Sequence, residues 1–217
     1  MLRTDRVHTD FEAAFTDSAG FRSRSGHRYS IRVRPIGSLS VPTGALAVGY
    51  PYVPDHAQRL ARIVPPGRYP SELAVAVHDG SEEPAAVRLR LSSASAVTWE
   101  PALSTTGVFG TDIGGRARGA IADVGTFADL DVKVRLGPGN WRYPNTEALE
   151  QQLQGNVARC LALPTGAELA VFSTAMGGNY ASYWGFEQAG EVSELVVDLM
   201  ALVENTDAGL GRMARVG

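Results

Sequence analysis

From Tyr29 onward polar and apolar residues alternate. Tyr29, Ile31 and Val33 can face a core while Arg28, Ser30, Arg32 and Arg34 face water, the period of a half-buried strand. The pattern recurs down the chain. Leu73, Val75 and Val77 follow a "VPPGRYP" turn, Val87, Leu89 and Leu91 alternate with Arg88 and Arg90, and Val97 and Trp99 alternate with Thr98 and Glu100. Leu130, Val132, Val134 and Leu136 then alternate with Asp131, Lys133 and Arg135. Clusters of Gly, Pro, Ser and Asp lie between these runs and turn the chain.

Two stretches depart from period two. "NTEALEQQLQGNVARCLAL" places Leu149, Leu153, Val157, Cys160 and Leu161 on one stripe behind a cap at Asn145 or Thr146, predicting a helix over about 146–163 that Gly155 weakens without stopping. A shorter helix is predicted near residues 9–16, carrying Phe11 and Phe15. After the long helix, "AELAVFST" and "SYWGFE" read as strands, with "MGGN" as a tight turn between them. Val192, Leu195, Val196, Leu199, Met200 and Val203 recur at helical spacing, although "LVV" is also strand material, so periodicity tilts 190–204 toward helix. Many short antiparallel strands with one central amphipathic helix give the expected fold: α+β, mainly β, with a sandwich-like antiparallel sheet. No linker interrupts it. Residues 36–204 are expected as one domain that also takes in 1–35, with 205–217 as a tail.

Composition narrows the function classes. A 44% hydrophobic content over 217 residues suffices for a sizeable core. The net charge of -3, from 20 basic and 23 acidic residues, supplies no overall basic field, which makes nucleic acid an unfavoured partner. The single cysteine excludes an internal disulfide framework. The first residues lack the apolar core of a secretory signal, and the richest apolar run, "LVVDLMALV", is broken by Asp198, so neither export nor a spanning helix is expected. The expectation is a cytoplasmic protein.

The segment most like a site is "FGTDIGGRARGAIADV", in which Asp112 and Asp123 bracket a loop with three glycines, Arg116 and Arg118. A phosphate cradle would need a lysine and a following helix, and "GGRARG" leads instead toward strand-like "AIADV". What remains is a glycine-rich hairpin, or a pair of carboxylates that could take a divalent metal or split acid and base roles. No cofactor is required by the sequence. Arg28, Arg32 and Arg34 share the polar face of the first strand and, with Arg116 and Arg118, are the candidate anion contacts. Four histidines show no metal-ligand spacing, and Cys160 on the helix stripe reads as core. In "NYASYWGFE", period two puts Tyr180, Trp184 and Phe186 on one side, a binding platform if exposed and core if not.

"IGSLSVPTGALAVGYP", "VPPGRYPSELAVAV", "FGTDIGGRARGAIAD" and "AVFSTAMGGNYASYWGFEQAGEVSELVVDL" occur in the order and spacing of the bacterial family called domain of unknown function 4241, which residues 36–200 resemble. That family carries an aspartate-proline after its first strand, an Asp-x-Gly-x-Gly stretch closed by an aspartate, a Gly-Asp-Gly, and a last aspartate. The resemblance keeps Asp112, Asp123 and Asp198 of these. It departs at Tyr50, where the first aspartate stands, and at Gly177, Gly178 and Asn179, where Gly-Asp-Gly stands. The resemblance also implies a strand through Asp198 and an accessory, immunity-like role with a protein partner. The sequence therefore leaves two functions open: a non-enzymatic protein-binding module, and a hydrolase, metal-assisted or carboxylate-dependent, using Asp112, Asp123 and Asp198.

Overall fold

A computed structural model describes residues 11–216 apart from 133, 139, 143, 154, 207 and 208. In chain order it has α1 (Phe11–Ala14), β1 (Gly20–Arg22), β2 (Arg28–Val41), β3 (Ala45–Gly49), β4 (Gln58–Ile63), β5 (Gly67–His78), β6 (Ser81–Arg90), β7 (Thr98–Pro101), β8 (Thr111–Ile113) and β9 (Arg118–Asp123). There follow α2 (Val124–Leu130), β10 (Val134–Gly137), β11 (Asn140–Arg142), α3 (Pro144–Leu153), β12 (Ala158–Ala162), β13 (Glu168–Ser173), β14 (Gly178–Tyr180), β15 (Ser182–Phe186), β16 (Val192–Asp198), β17 (Val203–Thr206), β18 (Gly209–Arg212) and β19 (Ala214–Val216).

An eight-stranded sheet runs β19-β1-β2-β5-β6-β16-β15-β7, and a five-stranded sheet runs β12-β13-β9-β3-β4. The ladders in both are antiparallel. Period two decides what each face buries. Leu73, Val75, Val87, Leu89, Leu195 and Val197 of the larger sheet meet Leu46, Val48, Ile121, Ala170 and Phe172 of the smaller one in the central core. The intervening residues line two outer layers. Ala74, Ala76, Ala86 and Val196 pack under α1, while Ala47, Ala120, Ala122, Leu169 and Val171 pack under α2 and α3. The mainly β, sandwich-like antiparallel class read from the sequence is the fold observed.

One irregularity matters for the arginines. The β2–β5 register shifts between Pro35 and Gly37, where Gly37 has φ 121°. A Cβ there would lie 2.8 Å from Cys160 Cβ, so the bulge sits where β2 crosses β12. The extra residue inverts the strand's faces: Ile31 and Val33 belong to the outer layer, whereas Leu39 and Val41 belong to the central core.

Several expectations change. The helix predicted over 146–163 stops at Leu153, where Asn156 N–H turns back to the Leu153 carbonyl and Gly155 takes φ 80°. Cys160 therefore lies on β12, opposite Ala170, and not on a helical stripe. β12 is a five-residue edge strand with only Leu161 buried, too short to show a period of its own against the helical spacing that precedes it. The alternation at Leu130–Leu136 is split between the end of α2 and β10. "MGGN" does not join neighbouring strands: β13 and β15 lie in different sheets, and β14 pairs with β8. Residues 192–198 form β16, as the resemblance implied and against the periodicity. The segment 205–217, expected as a tail, carries β18 and β19, and β19 pairs with β1. The short helix expected at 9–16 is present as α1, residues 9 and 10 lying outside the described set.

Candidate functional site

Three loops interlock at one place. β3 leads into Tyr50 and Tyr52, whose rings meet edge-on at 5.1 Å. The Arg116 guanidinium lies 4.9 Å from the centre of the Tyr52 ring and 3.4 Å from Glu150 Oε1 on α3, and the Tyr52 hydroxyl donates to the same carboxylate. Arg116 stands on the turn between β8 and β9, closed by Ala117 N–H donating to the Gly114 carbonyl at 3.0 Å. Gly114 lets Tyr50 approach, since a Cβ there would lie 2.7 Å from Tyr50 Cε1.

The third loop, 174–177, is tied to the second. Thr174 N–H donates to the Ala117 carbonyl at 2.8 Å, and a Cβ on Gly177 would lie 3.2 Å from the carbonyl oxygens of Ile113 and Gly114. The Thr174 and Tyr180 hydroxyls both donate to the Met176 carbonyl at 2.7 Å, which fixes a backbone whose side chain is 68% exposed. Beside it is a cleft of about 290 Å³, lined by Glu83, Met176, Gly177, Asn179, Tyr180 and Met200. The "FGTDIGGRARGAIADV" segment is thus a turn but not a hairpin ladder. β8 pairs with β14, setting Asp112 opposite Asn179, while β9 pairs with β13 and β3.

The candidate aspartates do different work. Asp112 is exposed on β8. Asp123 is 3% exposed: one oxygen accepts from Thr43 N–H at 2.9 Å and Thr43 hydroxyl at 2.7 Å, the other from Gly125 N–H at 3.2 Å. It caps α2 and ties the "VPTG" turn to the sheet. Asp198, 1% exposed at the end of β16, accepts from Met200 N–H at 3.0 Å. The three stand on different ladders, and among the described residues no three His, Cys, Asp or Glu side chains are grouped so as to hold a metal ion.

The arginine patch is partly neutralised, two of its members sharing one carboxylate. Arg32 and Arg34 both pair with Glu82, at 2.5 and 2.6 Å, because the unbulged half of β2 turns them to the face that Glu82 occupies. Arg28 is exposed at the start of β2. Arg118 donates to the Asn156 carbonyl at 3.0 Å and to Ser173 Oγ at 2.5 Å, bracing β9 against β13. Tyr180, Trp184 and Phe186 are buried in the central core at 5, 3 and 9% exposure, which removes them as a platform. His27 and His78 meet ring to ring at 4.9 Å without a metal-like cluster, and His8 lies outside the described residues. Burial pushes the Cys160 thiol up, away from a nucleophile's range.

Sequence reasoning missed Tyr52 and Met176 as site residues. The only local signal was the "GYPY" run, whose proline marks a loop and leaves two tyrosines outside any strand pattern. It also missed the buried ion cluster around Arg88, because Arg88 sat in an alternating strand as an ordinary polar-face residue.

A family model described as protein of unknown function (DUF4241) matches residues 39–197. The chain belongs to the DUF4241 family. Comparison with curated proteins and with solved structures returns no match. Tyr50, Asp112 and Gly177–Asn179, far apart in sequence, stand on the interlocked loops or on the β8–β14 pair beside them. Asp198 precedes Met200 at the rim of the cleft, and Asp123 lies at the far end of β9. Around these loops the chain presents Tyr50, Tyr52, Arg116, Glu150 and Met176, with Asp112 exposed on β8.

Proposed function

We propose that the protein is a non-enzymatic, protein-binding accessory module of the cytoplasm, and that the loops around Tyr50, Tyr52, Arg116 and Met176 are its contact surface. The observation that carries this reading is chemical. Two tyrosines, a stacked arginine and a 68% exposed methionine are braced by fixed backbone at one spot. Tyr, Arg and Met are the residue types enriched at protein interfaces, and aromatic rings bring contact area at low entropic cost. The hydrolase reading has less support, since two of its three aspartates are already committed to backbone N–H groups. The immunity-like part of the reading rests on family resemblance alone.

A photo-cross-linking residue at Val53, beside Tyr52 and 37% exposed, tests this in the cells that make the protein. The expected result is a discrete protein adduct at position 53 that is lost with Arg116→Glu and absent when the same residue replaces Ile63 on β4. No adduct at 53, or equal adducts at 53 and 63, overturns the assignment.

A further inference from the structure

The outer face of the eight-stranded sheet holds a charge cluster that no binding role uses. Arg88 is 3% exposed, two residues before the end of β6. Its Nε and Nη2 donate to Glu72 Oε2 at 2.9 and 2.6 Å, and its Nη1 reaches Glu12 Oε2 and Glu194 Oε2, both at 3.3 Å. Phe15 lies over the guanidinium at 4.3 Å. Glu194, 2% exposed, also accepts from the Trp99 indole at 2.8 Å. Gly185 makes room for it, since a Cβ there would lie 2.5 Å from Glu194 Cγ. Glu12 accepts from the Ser95 hydroxyl at 3.2 Å. Arg90 is the register partner of Glu194 on β6, and Tyr183 packs into the same layer from β15.

Three carboxylates thus face one buried guanidinium, and two of them compete for one of its nitrogens. The desolvation cost falls on Glu194, whose side chain is 3% exposed, against 22% for Glu72 and 37% for Glu12. Their anchorage differs. Glu72 and Glu194 stand on β5 and β16, each paired on both sides, whereas Glu12 stands on a four-residue helix.

We propose that this cluster is a proton-operated latch on α1: a proton on Glu194 lets Glu12 share Arg88 and holds α1 down, and loss of that proton sets Glu194 against Glu12 and loosens α1. The element that yields is the short one. Release would bare the seat of Phe11 against Trp99 and Tyr183, over the alanine-rich outer face. Burial, with a smaller contribution from the Glu12 charge, raises Glu194 above its ordinary 4.5 against the lowering pull of Trp99 and Arg88. For a carboxyl raised in the docked state, stability is fully present below the ordinary value and is lost as pH rises through the raised one, so α1 is held at lower pH and loosens at higher pH. One proton limits the response to about tenfold in the docking equilibrium per pH unit.

The test is a carboxyl-carbon NMR titration of Glu194 on the full chain, with the Phe11–Tyr183 ring contact followed across the same range. A Glu194 midpoint above the ordinary range, with the ring contact weakening through that midpoint, is expected. Glu194→Gln should make the contact independent of pH, and Glu12→Gln, at the more exposed carboxylate, should lower the Glu194 midpoint while leaving the fold intact. A Glu194 midpoint at or below 4.5, a ring contact that does not respond, or a response that survives in Glu194→Gln overturns the latch. If Glu194→Gln does not fold, an unmoved Glu194 midpoint in Glu12→Gln overturns it alone.

Discussion

Arg88 and Arg116 make the same kinds of contact in opposite surroundings. Each guanidinium sits over an aromatic ring, Phe15 at 4.3 Å and Tyr52 at 4.9 Å, and each pairs with glutamate. The Arg88 side chain is 4% exposed and the Arg116 side chain 65%. In the dry layer, the pairing must offset a large desolvation cost, so removing one partner leaves charges with nowhere to go. In water, the pairing contributes little to folding, and the same donor set stays available to something that arrives later. A contact list alone would rank the two alike; burial separates a structural arginine from a recognition arginine.

The largest test of that separation is Arg88→Met, a change of similar volume. It strands the buried Glu194 and takes the main partner from Glu72, while Glu12 keeps access to water, and a destabilisation of about 3–5 kcal/mol is expected, measured by urea unfolding. Adding Glu72→Gln and Glu194→Gln to the same chain should recover more than half of the loss, because the penalty lies in uncompensated charge. If the single variant costs no more than about 1 kcal/mol, the cluster is wetter than its burial indicates and the comparison fails.

The next effect comes from two aspartates that bracket one loop. Asp123→Ala removes the cap of α2 and leaves the Thr43 N–H and hydroxyl without their acceptor. A loss of about 2–4 kcal/mol is expected in the same urea assay. Asp112→Ala, at an exposed position, should stay within about 0.5 kcal/mol. Equal losses at the two positions would mean that Asp112 also supports the fold and is not held in reserve at the surface.

These contrasts explain what could be read from the residues. The strands were legible where period two survives, either because one face is wet, as in Arg28–Arg34, or because large apolar residues alternate with alanine, as in Leu73–Val77. β12 and the short α2 were not, since Ala158–Ala162 shares its apolar content with a preceding helix and Val124–Leu130 spans only two turns. The family aspartates could be located but not sorted. Asp123 differs from Asp112 through Thr43, which lies 80 residues away in sequence. Arg88 was likewise invisible as a buried charge, because its cover is α1, a four-residue helix whose Glu12 lies 76 residues earlier in the sequence. The site itself was half legible: the loop that carries Arg116 stood out, whereas Tyr52 joins it through the Arg116 and Glu150 side chains and Met176 through the Thr174–Ala117 hydrogen bond and the close approach at Gly177, all contacts distant in sequence.

The smallest expected effect on folding is the most discriminating. Arg116→Ala removes an exposed ion pair and the ring contact with Tyr52, which together should move the melting temperature by no more than about 2 °C in a chain of this size. Arg116→Lys keeps the charge but loses the planar stack and the fork of donors, so it should be thermally silent as well. Both should abolish the adduct captured at Val53 if the stacked guanidinium, and not its charge alone, is what the partner reads. A lysine variant that keeps the adduct would place the recognition in simple charge. An alanine variant that melts many degrees lower would make Arg116 a second Arg88, a brace of the fold at the surface, and the division between the two arginines would be gone.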